Sequence, residues 1–139
     1  KDWGRIRVED GAERALDGVT GDAFELEVTV ASPVPRECGI HLLGDENGEG
    51  GLRIVAGAGR KTLQVGTVKA PFELKAGEDL TLRVFIDKNL VEVFAGDRQA
   101  VAVAHGHIRK NPTLRLFAEG GGLTARARGW RMKSIYTNP

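Results

Sequence analysis

The chain has 139 residues, of which 41% are hydrophobic and 28% are charged, which is typical of one soluble globular domain and excludes a disordered chain. Its 20 basic and 19 acidic residues give a net charge of +1, which argues against a general nucleic-acid-binding protein. No apolar run approaches the roughly 20 residues that a membrane-spanning helix needs.

Alternation of apolar and polar residues predicts β-strands along most of the chain. The alternation is strictest in segments 24–30 and 80–86, and it places Leu82 and Val84 on one buried face. In chain order, the predicted strands are 5–9, 24–30, 38–43, 52–55, 61–65, 80–86, 90–94, 100–103, 113–118 and 123–132.

Short segments rich in glycine, aspartate and asparagine separate these runs, as at 44–48, 57–59, 87–89 and 120–122. Connections of this length favour antiparallel hairpins, because a parallel crossover needs about a dozen residues. No segment has a sustained helical period with caps. About ten short strands predict an all-β domain, residues 1–139, built as a two-sheet antiparallel β-sandwich, since one sheet of that width would leave a face uncovered.

The histidines do not predict a metal site. His105 and His107 are two residues apart and could share one strand face, but Gly106 between them favours a loop. His41 is expected on the water-exposed face of its strand, between Ile40 and Leu42. Cys38 is the only cysteine, which excludes an intrachain disulfide and a cysteine-rich zinc site, and no cofactor is predicted.

Several charged residues are best explained as structural. Glu92 alternates with two valines and should point to solvent, and Asp87 lies at a predicted hairpin corner. Arg126 and Arg128 alternate with alanines near the basic C-terminus. We interpret them as the solvated face of a strand rather than as a nucleic-acid site.

Segment 82–94, Leu-Arg-Val-Phe-Ile-Asp-Lys-Asn-Leu-Val-Glu-Val-Phe, closely resembles the signature of the C-terminal β-sandwich of glycoside hydrolase family 32, the invertases, levanases and inulinases. The similarity continues through 114–122 and ends at 130–136. It covers about 21–136 and is most specific over 80–136. The family's paired serines at the hairpin are replaced here by Asn89 and Leu90.

The resemblance implies a lectin-like jelly-roll sandwich without catalytic residues of its own. The family's catalytic carboxylates lie on an N-terminal five-bladed propeller, in Asn-Asp-Pro, Arg-Asp-Pro and Glu-Cys motifs. The first two motifs are absent here, and Glu37-Cys38 resembles only the third. Glu37 is expected to be structural, because a lone carboxylate cannot support the retaining mechanism.

The implied partner is therefore a catalytic propeller, and the parent protein is expected to hydrolyse sucrose or fructans. This chain alone is not expected to be an enzyme. Because it starts at Lys1, without a methionine or a signal-peptide apolar region, we expect a fragment or a processed chain, and the compartment stays open.

The alternative hypothesis is a free-standing carbohydrate-binding module that binds fructan or a sucrose-type sugar. Such a module stacks the apolar face of a sugar on an exposed aromatic ring. The candidate rings are Trp3, Phe117, Trp130 and Tyr136. A tryptophan in a strand is more often part of the core, which favours the docking hypothesis.

Overall fold

The computed structural model describes residues 1–18, 23–44, 51–88, 90–104 and 113–131. These residues form β-strands and connecting turns, with no helix among them. The prediction of an all-β domain is therefore confirmed. The described part of the chain contains no helix that is long and apolar enough to cross a membrane.

Twelve strands lie within the described residues. They are β1 (Asp2–Val8), β2 (Glu13–Ala15), β3 (Ala23–Val30), β4 (Glu37–Gly44), β5 (Leu52–Ala56), β6 (Thr62–Val65), β7 (Val68–Pro71), β8 (Leu80–Asp87), β9 (Leu90–Ala95), β10 (Gln99–Ala104), β11 (Thr113–Glu119) and β12 (Leu123–Arg131).

The strands form two antiparallel sheets, as predicted, and each sheet has six strands within the described residues. Sheet A has the order β1-β12-β3-β8-β9-β10, and sheet B has the order β2-β11-β4-β5-β6-β7. The first and last strands lie side by side in sheet A, where the N-terminal ammonium of Lys1 donates a hydrogen bond of 2.7 Å to the Gly129 carbonyl.

The core lies between the sheets and is built by the alternate residues that the period of two places inward. In sheet A, the predicted inward residues of β8 and β9 have no exposed surface: Leu82, Val84, Ile86, Val91 and Val93. Sheet B covers them with the fully buried residues Ile40, Leu42, Ile54, Leu63 and Val65. The face assignment made from the sequence is confirmed.

An ion pair ties the segment before β8 to the β9–β10 hairpin. Arg98 donates to both carboxylate oxygens of Glu78, at 2.6 and 2.9 Å, and also to the backbone carbonyl of Glu73. Its guanidinium lies 5.0 Å from the Phe72 ring centroid. The hydrogen bonds from Arg98 lower the pKa of Glu78 to about 2, so this pair stays charged at any ordinary pH.

Candidate functional surfaces

Two neighbouring rows of side chains cross the outer face of sheet A, the face turned away from the core. Strand register aligns Trp130, Glu25, Phe85 and Glu92 in the first row, and Arg128, Glu27, Arg83 and Phe94 in the second. The first row therefore alternates aromatic rings with carboxylates across four adjacent strands, and the second row places three charged groups beside one aromatic ring.

Ion pairs and ring contacts join the two rows. Arg83 donates to Glu25 at 2.8 Å and lies 5.2 Å from the centroid of Phe85. The Phe85 and Phe94 rings meet edge to face, with centroids 5.7 Å apart and an interplanar angle of 88°. These contacts link the aromatic and charged side chains of the two rows into one cluster.

The outer side of β8, β9 and β10 carries an apolar patch. We define this patch as Phe85, Leu90, Phe94, Ala100, Ala102 and Ala104, which surround the exposed carboxylate of Glu92. Leu90 is 36% exposed, and the three alanines belong to the edge strand β10, whose sequence Gln-Ala-Val-Ala-Val-Ala has no charge. Natural edge strands usually carry charges, prolines or bulges that block further pairing. This edge has none of them.

The predicted sugar-stacking residues do not share one surface. Trp130 is 39% exposed on the outer face of sheet A, with the Arg128 guanidinium 5.4 Å from its ring centroid. Trp130 therefore does not belong to the core, although a core position is the more common one for a tryptophan in a strand. Trp3 is partly buried against the core and donates its indole N–H to the Asp17 carbonyl at 2.7 Å. Tyr136 lies outside the described residues.

Phe117 occupies the outer face of sheet B, on the opposite side from Trp130. It is only 3% exposed, because the Arg53 guanidinium lies 4.2 Å from its ring centroid. Its cross-strand neighbour in β4 is Gly39. Phe117 therefore offers no open ring face for a sugar.

His41 differs from expectation. Its side chain lies on the outer face of sheet B as predicted, yet it is buried, with only 8% exposure, so the prediction of a wet histidine is wrong. Arg115 and Arg53 pair with it from the two neighbouring strands, and such long side chains cover a residue between them. His105 and His107 lie outside the described residues.

Glu37 is not the lone carboxylate that the sequence suggested, since Glu119 lies directly opposite it across the β4–β11 ladder. Glu37 nevertheless accepts a hydrogen bond of 2.9 Å from Arg60, and Arg60 also donates to Gln64 at 2.9 Å. This network fixes the turn between β5 and β6. The geometry explains Glu37 as one partner of a structural ion pair.

Two further groups have structural explanations. Cys38 is fully buried, and this burial raises the pKa of its thiol to about 12, so the thiol is unreactive. Glu92 points to solvent, as predicted from its place between two inward valines. Within the described residues, no group of three or more histidine, cysteine or carboxylate side chains could hold a metal ion.

A protein-family model described as "Glycosyl hydrolases family 32 C terminal" matches residues 3–130. No curated protein matches the chain. Among solved structures, an exo-inulinase from Aspergillus awamori superposes with a TM-score of 0.77 at 15% identity, covering 98% of this chain. Sucrose-6-phosphate hydrolase from Lactobacillus gasseri superposes with a TM-score of 0.66 at 20% identity, covering 96%.

The match occupies only part of those proteins. This chain spans 29% of the exo-inulinase chain and 29% of the sucrose-6-phosphate hydrolase chain. A smaller protein, the carbohydrate binding module CBM66 from Bacillus subtilis, superposes with a TM-score of 0.56 at 12% identity, covering 90% of this chain and 79% of its own. At these identities the superpositions establish the sandwich fold alone.

Proposed function

Since the chain belongs to the family of C-terminal domains of family 32 glycosyl hydrolases, we propose that it is a non-catalytic module that docks on the catalytic propeller of a sucrose- or fructan-hydrolysing enzyme and stabilises it. The family match over 3–130 is the observation that carries this proposal. The long enzymes that superpose on this chain add support, because the matched sandwich is under a third of each.

The apolar patch of β8, β9 and β10 is the surface that best fits this role. Interdomain interfaces commonly bury about 600 to 1,500 Å² and are partly apolar. The patch combines two phenylalanine rings, an exposed leucine and the alanines of the uncharged edge strand β10 around one carboxylate, that of Glu92. The outer face of sheet B suits docking less well, because Arg53 and Arg115 flank His41 there and Arg53 covers the ring of Phe117.

The docking proposal predicts that Ala102→Lys weakens the contact with the catalytic domain. Ala102 is exposed and pairs with Glu92, so a lysine should be tolerated by the sandwich itself. In an interface, however, the new lysine would have to be desolvated together with Glu92, which can cost more than their attraction returns, and its long side chain would separate the two surfaces. In the longer polypeptide that carries the propeller, we expect the melting temperature of the catalytic domain to fall by several degrees, measured by calorimetry.

Ala58→Lys is the matched control, because Ala58 is an exposed alanine in the turn between β5 and β6 of sheet B. The isolated sandwich should melt at the same temperature with either substitution. If both variants of the longer polypeptide also melt alike, the apolar patch is not the docking surface.

The second candidate function is sugar binding, and the exposure of Trp130 favours it. This ring lies beside Glu25, Glu27 and Arg128, whose polar groups could bind sugar hydroxyls while a sugar stacks on the indole. We rank this function second, because the module-like neighbour superposes less well than the enzymes, with TM-scores of 0.56 and 0.77.

Titration calorimetry of the isolated chain with levan and inulin oligosaccharides separates the two functions. As a docking module, the chain should bind them with a dissociation constant of about 1 mM or weaker, near −4 kcal/mol. Micromolar binding that Trp130→Ala removes and Leu90→Ala preserves would make sugar binding the primary function. Leu90→Ala is the control, because it also deletes an exposed apolar side chain from sheet A.

A further inference from the structure

Arg5 and Arg126 differ from the other arginines on the outer face of sheet A. Arg7, Arg83 and Arg128 each form an ion pair with a glutamate. The guanidinium groups of Arg5 and Arg126 have no hydrogen bond, ion pair or ring contact with any residue that the structure describes. Both side chains are exposed, so two positive charges on this face are left without a partner.

The register places these two charges side by side. Arg5 of β1 pairs directly with Arg126 of β12, and both face outward because their neighbours Ile6 and Ala125 are buried in the core. Cβ atoms of directly paired residues lie about 5 Å apart, and like charges in this position destabilise a sheet. An anion bound between the two guanidinium groups would remove this repulsion.

The surroundings are shaped to receive a small group. Arg5 and Arg126 line a shallow depression of about 310 Å³ together with Thr29, Thr124 and Asp79. A second depression of about 310 Å³ adjoins it, sharing Thr29 and Arg126. Threonine hydroxyls can donate hydrogen bonds to an anion, and the adjoining space can hold the uncharged remainder of a ligand.

The nearby carboxylates are already engaged by the protein. Asp79 accepts a hydrogen bond of 2.8 Å from the Ser32 amide, and Asp2 accepts one of 2.7 Å from the Gly4 amide. Glu27 accepts from Arg128 at 3.0 Å. These carboxylates do not pair with Arg5 or Arg126, but they offset part of the positive charge nearby. The site therefore suits a small oxyanion that both guanidinium groups contact directly better than a long polyanion that would also pass the carboxylates.

We propose that Arg5 and Arg126 form a binding site for one compact oxyanion, the phosphate, sulfate or carboxylate group of a small ligand, on the outer face of sheet A. Two guanidinium groups can each donate paired hydrogen bonds to such a group. This site is independent of the docking proposal, because the apolar patch lies across the sheet on β8, β9 and β10.

Thermal unfolding of the 139-residue chain provides the first test. Sodium phosphate should raise the melting temperature more than sodium chloride of equal ionic strength. Phosphate also stabilises proteins in general by its exclusion from their surfaces, and this part of the effect should persist in every variant. Arg126→Gln should remove only the additional increment, without lowering the melting temperature in chloride, because it also removes the repulsion of Arg5.

Arg128→Gln is the matched control, because it removes the same charge from the same strand at a position already paired with Glu27. It should keep the phosphate-specific increment. Equal increments for phosphate and chloride in the unaltered chain, or equal loss of the increment in both variants, would overturn the proposal.

A titration monitored by the NMR signals of the arginine guanidinium groups distinguishes a site for free phosphate from a site for the phosphate group of a sugar ligand. Inorganic phosphate and a hexose phosphate should both shift the signals of Arg5 and Arg126, whereas the free hexose should not. A tighter response to the hexose phosphate would show that the adjoining depression holds the sugar. Arg126→Gln should weaken binding about tenfold or more, as expected for loss of a charge-assisted contact. Shifts caused equally by the free hexose would contradict an oxyanion site.

Discussion

Val84→Asp is expected to abolish folding of this domain. Val84 has no exposed surface and lies in β8 between the strands β3 and β9, at the middle of sheet A. An aspartate there would bury a carboxylate without a partner, which costs several kcal/mol. A small domain has only about 5 to 15 kcal/mol of stability in total. Circular dichroism and urea denaturation should show a largely unfolded chain.

Arg83→Asp, at the adjacent position, is the control. Arg83 is half-exposed and forms one surface ion pair with Glu25, so its replacement should cost about 1 kcal/mol, including new repulsion between carboxylates. The chain should remain folded, with a slightly lower urea midpoint. Similar losses of stability for the two variants would mean that the two faces of β8 are wrongly assigned.

The success of the sequence in predicting these faces has a simple physical reason. A central strand of a sandwich has one side against the core and one side in water, so its burial repeats every two residues. In β8 and β9 the sequence repeats in the same way, and the inward residues from Leu82 to Val93 follow it without exception. The short glycine- and aspartate-containing connections then made antiparallel pairing the natural expectation.

The sequence did not predict β2 and β7, because neither strand has this repeat. All three residues of β2 are exposed, and β7 contains Pro71 and has no buried residue. Both lie at edges of sheet B, where hydrogen bonding to a single neighbour defines the strand. Their shortness, charge and proline are typical of protected edge strands. A strand with these features lacks the alternation of apolar and polar residues by which the other strands were predicted.

The candidate surfaces were harder to predict than the fold, because they depend on neighbours across strands. Phe117 is covered by Arg53, which is distant in sequence and lies two strands away in sheet B. The pairing of Arg5 with Arg126 likewise joins the two ends of the chain. Period-two patterns give the face of each residue, but they do not give the register that decides its neighbours.

Gly39→Ala is expected to cause the second-largest loss of stability. Gly39 lies in β4, and a Cβ atom added there would overlap the backbone carbonyl of Ile54 in the paired strand β5. Backbone cannot move aside as a flexible side chain can, so β4 and β5 would have to separate. Overpacking of this kind typically costs about 1 to 3 kcal/mol and occasionally more, and we expect the upper end of that range.

Gly77→Ala separates the effect of crowding from that of backbone conformation. Gly77 lies in an exposed turn at a φ of +75°, and no atom lies within 4 Å of a Cβ atom added there. Replacement by alanine should therefore cost only the roughly 1 to 2 kcal/mol that a left-handed backbone conformation imposes on a residue with a side chain. Urea denaturation of both variants should therefore give the larger loss for Gly39→Ala. An equal or smaller loss would contradict the close approach of the β4 and β5 backbones at Gly39.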